Sequence, residues 1–331
     1  HMRSLVVSEK NDGFFVAGAD GRIYKGNYAN LSNQSTNYTN PYPTKTIAMS
    51  KDETFLVNGS DSSFVQIYNL KSGAKNAVVV RGLSGASNDI AFLPDNSGFI
   101  VASAGKTLSL INQQSGELKV LATLPYELKA ISISSDGHWL AGGTWSGQVV
   151  LFNLKDQTVS ILASESPNRV LSVEFSPSGK YLAYGVDDIA NKRGLVKMYT
   201  FATKETRQFS GHKAGVNDVV FSPDEKLLAS AGLDKRLQLY VLDNPEDLPV
   251  VMSNNAGFIW DIEFAKGSDY LIASCSESEV RVWPTDPSLL ADQICPKLKR
   301  NMSQDEWKKY VGSTDEIPYE YTCLRLLIKD Y

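Results

Sequence analysis

A histidine, a serine and an aspartate stand close together in one stretch of this 331-residue chain. They are His212, Ser230 and Asp234, within "GHKAGVNDVVFSPDEKLLASAGLDKRLQLYVLD" (211–243). Those residue types make the Ser-His-Asp arrangement of acyl transfer, in which the imidazole takes the serine proton and the carboxylate orients the imidazole. No Gly-x-Ser-x-Gly elbow, the strand-to-helix turn that presents the serine in one class of such enzymes, surrounds Ser230 to support that reading. The other histidines add little acid–base capacity. His1 lies in His1-Met2, which reads as a cloning scar, and His138 lies in a turn. A second chemistry would use carboxylates. Asp61, Asp187 and Glu277 fall in loops that could share one mouth, as in a hydrolase or lyase with an acidic or metal site, but no histidine stands among them. Asp187, Asp188 and Asn191 lack the spacing of a calcium loop. Cys275, Cys295 and Cys323 are too few for a disulfide framework and are not spaced as zinc ligands. The reading from these residues is therefore no enzyme, no metal and no cofactor.

The elements that hold these residues are short and repeat. "VVFSPDEKLLAS", which contains Ser230, has counterparts in "LVVSEKNDGFFVA" (5–17), "IAMSKDETFLVN" (47–58), "IAFLPDNSGFIVAS" (90–103), "ISISSDGHWLAG" (131–142), "VEFSPSGKYLAY" (173–184) and "IEFAKGSDYLIAS" (262–274). The turn-opening residue falls at Ser8, Ser50, Leu93, Ser134, Ser176, Ser222 and Ala265, at intervals of 42, 43, 41, 42, 46 and 43. Each unit has an apolar run, a turn, a second apolar run, a second turn, and an alternating run ending in an aromatic such as "FVQIYN" or "RLQLYV". A weaker fourth run follows, such as "AVVV" (77–80) or "TVSILA" (158–163). Runs this short between turn signals are strands of antiparallel meanders. Four strands per unit of this period make one propeller blade, whose sheet buries its faces only against neighbouring blades.

Composition agrees with a globular chain. Its 33 basic and 37 acidic residues give a net charge of −4 with no basic run, which argues against nucleic-acid and anionic-membrane partners. No apolar segment approaches the ~20 residues of a membrane helix. Since the strand "RSLVVSE" begins at once after the scar, the sequence reads as a domain cut from a longer protein; the missing leader says nothing about that parent, and the cytoplasm is the expected compartment.

On these units the chain resembles an all-β, seven-bladed WD-repeat β-propeller over residues 3–284. The Gly-His pair (Gly211, His212) occurs in one unit, and Trp283-Pro284 comes nearest to an intact Trp-Asp. The resemblance implies that His212, Ser230 and Asp234, with Tyr240 in place of the usual tryptophan, form a buried hydrogen-bond network and not a catalytic triad. It also implies a non-enzymatic interaction module that binds a partner on the loop face around the central channel. The rim positions it points to are Lys45, Asn88, Lys129, Arg169, Leu171, Asn217, Phe258 and Trp260 near the starts of the inner strands. In the second turns they are Asp61, Trp145, Leu233 and Glu277. Trp145, Phe258 and Trp260 are read either as binding anchors or as peripheral core. Trp139 and Trp283, on regular apolar positions, are read as core. An enlarged loop, "VDDIANKRG" (186–194), accounts for the 46-residue interval, and "NLSNQSTNYTNPYP" (30–43) reads as a weak outer strand plus a long loop.

Residues 285–331 read as a short helical extension packed on the propeller. Asp286-Pro287 starts one helix, Ser303 and Glu306 form a capping box for a second, and Trp307 and Tyr310 share a face of that second helix. The seventh unit has three strands, so its outer strand comes either from a segment upstream of residue 3 or from the C-terminal end, where "CLRLLI" (323–328) has strand composition. Cys295, Arg300, Asn301, Glu306, Trp307, Tyr310, Tyr321, Thr322 and Cys323 resemble the pattern that follows propellers at the C-terminal end of large bacterial signalling proteins. Those proteins carry STAND-type NTPase, protease or kinase modules upstream, which makes upstream domains of a parent chain a second class of partner. Two readings of Cys295 and Cys323 stay open: a disulfide if the tail doubles back, or two small buried side chains in a reducing cytosol.

Overall fold

The computed structural model describes residues 1–72, 76–244, 248–286, 289, 300, 301, 303–306 and 323. It is a seven-bladed β-propeller. Blade 1 is β1 (Met2–Val7), β2 (Gly13–Gly18), β3 (Arg22–Asn27) and β4 (Asn30–Thr39). Blade 2 is β5 (Thr44–Met49), β6 (Phe55–Ser60), β7 (Phe64–Asn69) and β8 (Val78–Arg81). Blade 3 is β9 (Ser87–Phe92), β10 (Phe99–Ser103), β11 (Thr107–Ile111) and β12 (Leu118–Thr123). Blade 4 is β13 (Leu128–Ile133), β14 (Trp139–Thr144), β15 (Gln148–Asn153) and β16 (Val159–Ser164). Blade 5 is β17 (Arg169–Phe175), β18 (Tyr181–Asp188), β19 (Arg193–Thr200) and β20 (Glu205–His212). Blade 6 is β21 (Val216–Phe221), β22 (Leu227–Gly232), β23 (Leu237–Val241) and β24 (Val250–Met252). Blade 7 has three described strands, β25 (Ile259–Ala265), β26 (Tyr270–Cys275) and β27 (Val280–Pro284).

Among the described residues, each blade is one uninterrupted stretch of chain with its strands in sequence order. The apolar alternation buries both faces of the two middle strands, and seven buried clusters result, each drawn from two neighbouring blades. The cluster of Met2, Leu5, Phe14 and Val16 with Ala265, Ile272 and Val280 joins blade 1 to blade 7 and closes the ring.

The recurrent turn after each inner strand has a local cause. The Ser50, Ser134, Ser176 and Ser222 hydroxyls accept the amide five residues on, at 2.9–3.2 Å. Ser50, Ser134 and Ser222 also donate to Asp52, Asp136 and Asp224. The residue three past the turn-opener takes positive φ: Glu53, Asn96, Gly137, Gly179 and Glu225. This suits glycine and asparagine best.

Three expectations change. The segment 186–194 is no enlarged loop: β18 and β19 run on and pair from Tyr181↔Thr200 to Asp188↔Arg193, so the extra residues lengthen a hairpin. Residues 30–39 form a full outer strand, the longest among the described residues, paired along β3. Trp139 is not core; as the first residue of β14 it sits where the sheet ends and is 37% exposed. Trp283 is half-buried against the blade 6–blade 7 cluster.

The tail is described at a few positions. Leu289 and residues 304–306 are helical. The Ser303 amide donates to Glu306 Oε2 (2.9 Å), and the Glu306 amide donates to Ser303 Oγ (3.3 Å), as a capping box requires. Trp307, Tyr310, Tyr321, Thr322, Cys295 and the strand expected over 324–328 lie outside the described residues. Cys323 is buried and disulfide-bonded, while Cys275 is buried and free.

Candidate functional site at the channel mouth

All seven inner strands carry a bulge near their starts. The register slips between Met2 and Ser4, Thr44 and Thr46, Ser87 and Asp89, Leu128 and Ala130, Val170 and Ser172, Val216 and Asp218, and Ile259 and Asp261. A bulge places an unpaired residue opposite the ladder and re-aims its side chain. The seven bulge residues are Arg3, Lys45, Asn88, Lys129, Leu171, Asn217 and Trp260, and all of them line one cavity of ≈ 430 Å³ at the end of the channel. Glu127, Trp145, Arg169, Asp187 and Leu233 complete its wall.

The wall is largely pre-set. Lys45 pairs with Asp61 (3.3 Å) and donates to Asn88 Oδ1 (3.3 Å), and Arg3 reaches the same Asp61 (4.0 Å). Asn88 Nδ2 donates to Glu127 Oε1 (2.8 Å) and to the Leu128 carbonyl (2.9 Å); Asn217 Nδ2 donates to the Ile259 carbonyl (2.8 Å). Arg169 lies over the Trp145 ring, 5.5 Å from its centroid, and pairs loosely with Asp187 (3.9 Å). Trp145 is 42% exposed and Trp260 37%.

Beneath the mouth lies a belt of carboxylates. Asp89, Asp218 and Asp261 each stand four residues before the turn-opener of their blade. Each accepts a backbone amide of the next blade: Asp89 from Ile131 (2.8 Å), Asp218 from Ile262 (2.9 Å), and Asp261 from Leu5 (2.7 Å) across the seam between blades 7 and 1. Ser4 accepts from Ile47 (3.1 Å), Thr46 donates to Asp89 (3.1 Å), and Ser132 accepts from Phe175 (3.0 Å). Glu174 and Glu263 face the same channel. Each carboxylate keeps a little surface toward the bore but is otherwise surrounded by protein. Burial raises the pKa of all five, and neighbouring carboxylates add to the rise at Asp218, Asp261, Glu263 and Glu174; Glu174 reaches about 8, with Asp89 and Asp261 adding to the shift. Lys129 moves the other way: burial lowers it, and Asp89 opposes the shift.

The interface between blades 5 and 6 is fastened differently. His212, on the outer strand of blade 5, directs Nδ1 at Asp234 Oδ1 (3.0 Å) and Nε2 at Ser230 Oγ (2.8 Å), both in blade 6. Ser230 donates on to Tyr240 (3.4 Å) and Tyr240 to Gln238 (3.0 Å). The amides of Lys213 and Arg236 donate to Asp234. Burial would raise Asp234, but His212 and those amides hold it below its ordinary value. The histidine and Asp234 side chains are 1% and 5% exposed, so the triad-like set is a sealed strut between blades with no room for a substrate.

Of the expected rim residues, Lys45, Asn88, Lys129, Trp145, Arg169, Leu171, Asn217, Leu233 and Trp260 meet in the cavity. Phe258 stands outside it, 41% exposed and edge-on to Trp260 at 6.3 Å. Glu277 is exposed and off the wall, and Asp61 is held by the two cations it pairs with. Arg3 and the carboxylate belt escaped the sequence reading. The signal was an aspartate recurring at one offset in three units, Asp89, Asp218 and Asp261. Among the described residues no group of three His, Cys, Asp or Glu is placed to hold a metal ion.

Comparison with known proteins agrees with this architecture. Residues 203–240 match the WD domain, G-beta repeat. The chain is similar to Protein hir-1 of Neurospora crassa, at 29% identity over 181 residues, which is 44% of this chain and 17% of that protein. It is similar to WD repeat-containing protein 1-B of Xenopus laevis, at 29% identity over 126 residues, 38% of this chain and 20% of that one. Actin-interacting protein 1 of Caenorhabditis elegans is 24% identical over 167 residues, 48% of this chain and 26% of that protein. The matches thus span about a fifth to a quarter of these relatives' lengths. The fold is that of a WD-repeat β-propeller.

Proposed function

We propose that this chain is a non-enzymatic interaction module that binds another protein, or another domain of its own parent chain, at the channel mouth. The observation that carries this reading is the convergence of one bulge residue from every blade on a single cavity beside two half-exposed tryptophans. A concave site with a few fixed polar groups and aromatic anchors is what partner recognition uses. Replacing Trp145 and Trp260 together with alanine, in a fold that neither supports, is expected to lower partner recovery at least about tenfold in quantitative pull-down, as loss of aromatic anchors does. Unchanged recovery would sink the reading.

A hydrolase or lyase at the same mouth has less support: its candidate acids are Asp61, tied to Arg3 and Lys45, Asp187, facing Arg169, and Glu277, which is off the cavity. The finer placement is as the sensing or docking end of a large bacterial signalling chain in the cytoplasm. Its support is the tail pattern, whose Arg300 and Glu306 form a paired contact (2.6 and 2.8 Å) and whose Asn301 and Cys323 exchange two hydrogen bonds of 2.9 Å. The bond at Cys323 bears on compartment, since cytosolic disulfides are uncommon. The bond therefore weighs against the cytoplasmic part of the placement, and alkylation of thiols at the moment of cell lysis tests it: a free Cys323 thiol would keep the cytoplasm, and a blocked Cys323 would overturn it.

A further inference from the structure

We propose that the channel mouth receives the carboxylate of an acidic peptide segment, anchored by the Lys129 ammonium. This rests on the mouth being the partner surface and adds the chemistry of what enters it. Four cations from separate blades, Arg3, Lys45, Lys129 and Arg169, line the cavity, and the acids in its lining are Glu127 and Asp187, in a chain of net charge −4. Three of the four are already engaged: Arg3 and Lys45 on Asp61, and Arg169 on Asp187 and the Trp145 face.

Lys129 is different. Among the described residues no carboxylate lies within the 4.0 Å of an ion pair, and it makes no hydrogen bond. The neighbouring Asn88 carboxamide is already spent on Lys45, Glu127 and the Leu128 carbonyl. A largely desolvated ammonium with no direct acceptor is unfavourable until an anion reaches it. Burial and the nearby Lys45 charge accordingly lower its proton affinity.

The belt beneath decides the charge of the guest. Asp89 and its companions lie on the inner side of Lys129, so a singly charged carboxylate at the mouth keeps Lys129 between itself and the belt. A phosphate dianion would meet that belt with twice the charge. The exposed faces of Trp145 and Trp260 suit an apolar residue next to the acid. The cavity volume of ≈ 430 Å³ lies in the range of sites that enclose a few side chains.

The test is capture of synthetic peptide pools on the immobilised chain. The pools share randomised flanks and differ in one fixed central residue: Glu, Gln, Lys or phosphoserine. The Glu pool is expected to be retained about tenfold over the Gln pool, the scale of one charge-assisted hydrogen bond. K129M is expected to bring that ratio to about one while K129R keeps most of it. Equal retention of Glu and Gln, or preference for Lys, overturns the carboxylate, yet leaves the mouth as the partner surface if W145A/W260A still lowers capture. Preference for phosphoserine overturns the choice of a singly charged guest. Capture indifferent to W145A/W260A, or none from any pool, overturns the mouth reading as well. The Glu-to-Gln ratio is read on the unmutated chain, so a K129M that fails to fold does not stop the test.

Discussion

His212 shows what a residue borrowed from catalysis does in a strut. Its two ring nitrogens reach Asp234 and Ser230 across the blade 5–blade 6 interface, where Ser172, unlike its counterparts in blades 1, 2, 3, 6 and 7, makes no hydrogen bond. H212A takes one hydrogen-bond partner from a buried hydroxyl and one from a buried carboxylate at once. It is expected to lower unfolding stability by about 2–4 kcal/mol in denaturant titration, more than S230A alone. A double-mutant cycle with D234N is expected to be non-additive, since both changes break one network. The acids set opposite pH trends. Asp234, Asp52 and Asp136 sit below their ordinary values, the last two at about 2, so the stability they add is present above the ordinary carboxylate range and is lost in acid. The belt carboxyls sit above their ordinary values. Their contribution is whole below that range and is lost as pH rises toward the folded values, about 8 for Glu174. Melting temperature is therefore expected to peak on the acid side of neutrality and decline toward pH 8. E174Q is expected to flatten that decline, and an unchanged slope would show that Glu174 is not what drives it.

At the level of the strand, the bulge and the aspartate just after it work as a pair: one residue is turned to the mouth and the next is bonded to the neighbouring blade. D261N keeps the acceptor for the Leu5 amide but weakens it, whereas D261A removes it. D261A is expected to speed hydrogen exchange at Leu5 and its blade 1 neighbours while leaving Ile262, held by Asp218, unchanged. Equal acceleration at both sites would mean that the seam has no separate stability. The sequence shows the strands well, because a period near 42 residues and two-residue alternation are imposed by blade size and by burial. It shows the mouth in part. Lys45, Lys129, Asn217 and Trp260 were legible through the resemblance, which places the rim near the start of each inner strand. Arg3 was not, since the first unit has no preceding blade to frame it, and the belt was not, since an acid inside an apolar strand has no local signature of its role. Trp139 misled because alternation reports the face of a strand but not where the sheet ends.

The whole molecule is held by seven equivalent apolar interfaces and fastened by unequal polar ones. Blades 3 and 4, 6 and 7, and 7 and 1 are joined by aspartate-to-amide bonds, and blades 5 and 6 by the histidine strut. Stability in such a ring is close to a sum of neighbour terms. D261A is therefore expected to open the ring at blades 7 and 1 first, with partial proteolysis releasing fragments cut near that seam, while H212A shifts the first cuts toward residues 201–216. Because blades 1 to 6 are each completed by consecutive described strands, the ring also has an order in time. A chain leaving the ribosome completes blade 1, then blade 2, and so on, and each new blade finds its partner face already made. Blade 1 waits for its second neighbour until Asp261 and the rest of β25 are synthesised. Through most of translation the apolar side of Leu5, Phe14 and Val16 is the surface that a chaperone would have to shield.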